Sequence, residues 1–123
     1  MRKRNRRATF VLLEGNHEER VERFLDKHPQ FQGILDIPVL LKLQERRIEW
    51  RQSWTKSQTY SIGRANFTHG LSTTNYHANK MVTDYGDSIF YGHTHDMQCI
   101  PRAAKLHKDK VTVGQSLGWQ PAG

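Results

Sequence analysis

The chain has 123 residues and seven histidines, four of which sit in short polar clusters that could do chemistry. Gly15-Asn16-His17-Glu18 follows one apolar run, His69-Gly70 a second, and Gly92-His93-Thr94-His95 a third. Neutral imidazole is a common ligand for divalent metals, and an Asn side chain offers a carbonyl oxygen. Taken singly, each of these histidines reads as a surface or core residue. As a set they carry more, because each cluster falls at the end of an expected strand. In layered α/β folds ligands bind beyond the carboxyl ends of strands. Three such loops would gather imidazoles and a carboxamide in one place.

The elements that must position these residues can be read in order. Ala8 to Leu13 is a short run of β-branched, aromatic and aliphatic residues, read as a buried strand. A helix is expected next, with Val21, Phe24 and Leu25 at helical spacing, ending near Pro29. Val39 to Ile48 reads as a second helix, started by Pro38. Tyr60–Ile62 and Ala65–Thr68 flank Gly63-Arg64, a two-residue hairpin signature. Thr74 to Tyr85 reads as a third helix closed by Gly86. Ser88–Tyr91 and Val111–Val113 complete the expected strands. The resulting fold class is α/β, a layered α+β domain in a single piece.

The three clusters, in this order, resemble the last three motifs of the calcineurin-like metallophosphoesterase superfamily: G-N-H-D/E, a strand-terminal His, then G-H-x-H. The resemblance also covers the strand and helix order between them. It implies the C-terminal part of a four-layer α-β-β-α sandwich and hydrolysis of a phosphomonoester or phosphodiester at two divalent metals (Mn, Fe, Ni or Zn). It further implies that Asn16, His69 and His93 bind the second metal and that His95 reaches the first. His17 would face the leaving-group oxygen as the catalytic proton donor or charge stabiliser. Glu18 is a variant that the family accepts.

The departures from the pattern matter as much. The family's D-x-H and G-D-x-x-D motifs lie upstream of the Asn-His motif, yet the 14 residues before Gly15 contain neither Asp nor His. Asp26-Lys27-His28 matches D-x-H literally but follows the Asn-His motif, near a helix end. Gly86-Asp87-Ser88-Ile89-Phe90 has Phe where the second Asp should be. The expectation is a partial domain whose N-terminal metal-binding half is missing and which is inactive alone. Arg20, one turn after His17, and His77, on the third helix, are weaker substrate-binding candidates. His28 and His107 fit no motif.

Composition bounds the rest. The formal charge is +7, from 19 basic and 12 acidic residues. Arg2, Lys3, Arg4, Arg6 and Arg7 hold five of the basic side chains, so the excess is mostly an N-terminal tag. It reads as a solvated helix end or as an arm touching nucleic acid. A non-catalytic fragment binding nucleic acid or a partner through Arg2 to Arg7 is therefore the alternative function. The lone Cys99 excludes a disulfide framework and reads as a small apolar filler. Together with the absence of a signal sequence or a membrane-length apolar run, it suggests a cytoplasmic protein. Trp50 and Trp54 read as core residues on one sheet face.

Overall fold

Phe10-Val11-Leu12-Leu13 can bury side chains on both faces, and the chain uses it as a parallel strand. A computed structural model describes residues 7–52, 58–103 and 110–118. Contacts divide the chain into two compact units, Met1–Trp54 and Thr55–Gly123, and each is described by itself.

In the first unit β1 (Phe10–Leu13) pairs in parallel with β2 (Ile48–Arg51), Phe10 opposite Ile48 and Leu13 opposite Arg51. Parallel neighbours need a long crossover, and α1 (Asn16–Lys27) begins it. Gly15 is the N-cap, and its backbone N–H donates to Glu18 Oε2 at 3.0 Å. The acid of the Asn-His motif thus satisfies a backbone donor at the helix start and complements the helix dipole, as does Glu19. The helix stops at His28, before Pro29.

The expected second helix is the main correction. Only α2 (Ile37–Leu40) is helical. Residues 41–47 are turns, with Lys42 and Arg47 both at a φ of +52°. The apolar residues that suggest helical periodicity serve otherwise. Leu43 is buried, Val39, Leu40 and Leu41 are exposed, and Ile48 joins the ladder with β1. Strand pairing with a segment nearly 40 positions away outweighs local periodicity here. Trp50 lies on β2 opposite Leu12; Trp54 lies outside the described residues.

The second unit is a five-stranded mixed sheet ordered β3-β4-β5-β7-β6. β3 (Tyr60–Ile62) and β4 (Ala65–Phe67) form the expected hairpin, with Gly63 at a φ of +60°, as primed turns require. β4, β5 (Ile89–Tyr91) and β7 (Val111–Ser116) run parallel. α3 (His77–Tyr85) is the crossover from β4 to β5 and starts three residues later than expected. It ends where the Gly86 N–H bonds to Val82 O, Gly86 taking a φ of +68°. Ala78, Met81 and Val82 of α3 form the core with Ile89 and Tyr91. Gly114 lets β7 meet the helix: a Cβ there would lie 2.4 Å from Ala78 O.

A further strand, besides β2, is outside the expected set. β6 (Cys99–Ala103) pairs antiparallel with β7, Cys99 opposite Gln115 and Ala103 opposite Val111. It contains Pro101 and is exposed along its whole length, as suits an edge strand. Cys99 is consequently an exposed free thiol, not a core filler. The observed class is α+β. No helix among the described residues is long and apolar enough to cross a membrane.

Candidate metal-binding histidine pair

β4 and β5 are parallel neighbours whose ends are level, Phe67 lying opposite Phe90. The ladder continues one step, with Thr68 N–H donating to Phe90 O at 3.0 Å. The backbone oxygen of His69 then accepts from Gly92 N–H at 3.1 Å and from His93 N–H at 2.7 Å. This pairing fixes the start of both motif loops. Gly70 allows it: its φ is +102°, and a Cβ there would lie 3.0 Å from both His93 Cβ and a Tyr91 ring carbon. The Gly after the strand-terminal His is therefore a packing requirement of the loop that carries His93.

The imidazoles meet edge to face, with ring centroids 5.2 Å apart and an angle of 61°. His69 Nε2 and His93 Nδ1 are 3.2 Å apart. Two ligands each about 2.0–2.1 Å from one ion lie roughly 2.8–3.4 Å apart at octahedral or tetrahedral angles. The donor atoms therefore fit a shared divalent cation, and the same spacing suits a ring-to-ring N–H···N bond when no ion is bound. His95 is exposed two residues further along the loop. Asn16, His17 and Arg20 sit on the first turns of α1 in the other unit, Asn16 half-buried and the other two exposed. The second unit thus brings His69 and His93 together. Among the described residues no group of three or more His, Cys, Asp or Glu side chains is arranged to hold a metal.

Other polar residues were missed or underrated by sequence reasoning. His77 is 2% exposed, with Nε2 3.0 Å from each carboxylate oxygen of Asp96 and Nδ1 hydrogen-bonded to the Tyr91 hydroxyl. Both ring nitrogens, considered above for substrate, are engaged within the protein. The signal was present: His77 shares the apolar face of α3 with Met81, and a polar ring on such a face must find partners. The hydrogen bond from His77 holds the Asp96 carboxyl below its ordinary value. Burial, helped by the Asp96 charge, pushes the Tyr91 hydroxyl up to about 12.

In the first unit Glu14, directly after β1, is buried. Glu22 on α1 is pushed up to about 7, first by burial and then by its hydrogen bond and charge interaction with Glu14. Gln52 donates to Glu22 Oε1 at 2.9 Å and works in the opposite direction. Glu14 follows β1 and Glu22 lies on α1 eight positions on, so neither period suggested that they meet. Arg7 is exposed; Arg2 to Arg6 and His107 lie outside the described residues. No family model, curated protein or solved structure matches the chain.

Proposed function

We propose that this chain carries the downstream part of a metallophosphoesterase site, in the C-terminal portion of a four-layer α-β-β-α sandwich. The observation that carries the reading is the pair of imidazole nitrogens 3.2 Å apart at the ends of two adjacent parallel strands. Both belong to the motif set that resembles this superfamily. His69 and His93 would share one divalent ion, and His95 would contribute to a second. When bound, such ions supply charge neutralisation for the phosphate oxygens and a water of lowered pKa. His17, exposed on the first turn of α1, is suited to donate a proton to the leaving-group oxygen. Arg20, one turn further on, can face a substrate anion.

The ligands at the matched positions are all neutral. A metal pair brings four positive charges about 3.5–4 Å apart and needs carboxylates close by. Segments bearing D-x-H and G-D-x-x-D, wherever they are encoded, would supply them. The substrate class is a phosphoester, and a reducing, cytoplasmic setting suits a chain with one exposed free thiol.

The test has two stages. Titration of the chain with Ni²⁺ should show one weak site that His69→Ala or His93→Ala abolishes. The chain alone should hydrolyse bis-p-nitrophenyl phosphate no faster than its His17→Ala variant. Adding an upstream half with both Asp-containing motifs should create metal-dependent turnover that His17→Ala or His93→Ala removes. Turnover by the unsupplemented chain that is lost in His93→Ala would overturn the need for added carboxylates. Absence of any metal response with the upstream half present would overturn the assignment itself.

A further inference from the structure

His93 and His95 lie on a segment whose two ends are gripped by one buried ring. Tyr91 is the last residue of β5, and Asp96 follows His95 directly. His77 reaches both: its Nδ1 meets the Tyr91 hydroxyl, and its Nε2 lies 3.0 Å from each Asp96 carboxylate oxygen. An ionised carboxylate only accepts, so Nε2 carries the proton. The Tyr91 hydroxyl can then donate to Nδ1, and every donor in the chain has an acceptor. The middle of the segment is tied as well. Thr94 Oγ1 lies 3.5 Å from His77 Nδ1 and 3.1 Å from Ser116 Oγ, and Ser116, fully buried, donates to Asp96 O at 2.7 Å. Leu117 N–H donates to Tyr91 O at 2.8 Å. Gln98 links Asp96 to α3, its Nε2 lying 3.2 Å from Asp96 Oδ2 and its Oε1 accepting from Ala78 N–H at 3.2 Å.

We infer that His77 is a positioning residue, a clasp between α3 and the two ends of segment 91–96 that sets the pose of His93 against His69. A loop of four residues held only at the β5 end would leave His93 free to swing. Closing it through a ring that is itself packed against the helix removes that freedom before any ligand arrives. The consequence for metal affinity rests on the metallophosphoesterase reading; the ordering of the loop does not.

The test is amide hydrogen exchange by NMR on the metal-free, full-length chain, followed by Ni²⁺ titration. Asp96→Ala is the primary variant, because the Asp96 side chain is 62% exposed and its loss leaves the core intact. Exchange at the Gly92 and His93 amides should quicken by about ten-fold, the effect of losing one or two buried hydrogen bonds. Amides of the β3–β4 hairpin should be unchanged. His77→Ala should reproduce this pattern, and His77→Gln, whose amide can still reach Asp96, should restore part of the protection. Ni²⁺ affinity should fall by about ten-fold in Asp96→Ala, the effect seen for residues that orient metal ligands. Unchanged exchange at Gly92 and His93 in Asp96→Ala would overturn the clasp, even if Ni²⁺ binds. Quickened exchange in a chain that binds no Ni²⁺ would support the clasp and sink the metal reading instead.

Discussion

His77 and Glu22 are both ionisable side chains drawn into packed surroundings, and their partners give them opposite fates. The imidazole has a donor on one side and an acceptor on the other. Tyr91→Phe removes one of these and leaves Nδ1 short of its main partner in a buried place. Urea unfolding should show a loss of about 1–2 kcal/mol; a change within error would mean that Thr94 takes over the bond. Glu22, by contrast, is crowded by Glu14 and Glu19. Its folded value of about 7 lies above the ordinary 4.5, so the folded state holds the proton more tightly. That contribution to stability is complete below the unfolded value and is lost as pH rises through about 7. Amide exchange in α1 should therefore quicken between about pH 5 and about pH 8 beyond the intrinsic base-catalysed increase. Glu22→Gln, which stays neutral, should remove that excess. An α1 protection factor independent of pH would contradict the burial of Glu22.

Among the elements, the α3–β7 contact has the least room to adjust. Gly114 sits under α3, and a Cβ there would come within 2.4 Å of Ala78 O and 3.0 Å of Val82 Cβ. Helix backbone cannot yield as a side-chain tip can, so Gly114→Ala must push α3 away from the sheet. Overpacking of this kind costs about 1–3 kcal/mol, and because His77 rides on α3 the Asp96 contact should loosen with it. Thermal unfolding should register the first effect and exchange at Gly92 and His93 the second. A variant as stable as the parent would show that α3 is not seated on Gly114.

For the molecule as a whole, the cores of the two units differ. Leu43 is the one buried apolar residue among the described residues of the first unit, whereas the second buries Ala78, Met81, Val82, Ile89 and Tyr91. Local stability follows buried apolar contact. Amides of β5 and β7 should accordingly exchange last, and those of β1, β2 and α1 well before them. A single cooperative exchange rate for both sets would show that the units share stability. The histidine pair belongs to the better-packed unit, and Asn16 and His17 to the other.

Much of this was legible in the sequence, and the reason is locality. Phe10–Leu13, the Gly63-Arg64 hairpin, the Gly86 helix stop and Ile89–Tyr91 each depend on residues within a few positions of one another, through β-branching, a positive φ or strand alternation. His69 and His93 were legible as a pair because each follows a strand, and parallel strands with level ends bring their following residues together. The tertiary structure decided what depends on distant partners. Residues 41–48 turn and then extend, where periodicity suggested a helix, because Ile48 to Arg51 complete the ladder of β1. β6 exists, Pro101 included, because β7 offers it an edge. His77 became a buried clasp because Tyr91 and Asp96 converge on α3, and Glu22 lost its ordinary acidity because the fold shields it from water and brings Glu14 beside it. In each case a contact across the sequence outweighed a preference worth only a fraction of a kcal/mol per residue, on the order of 0.5.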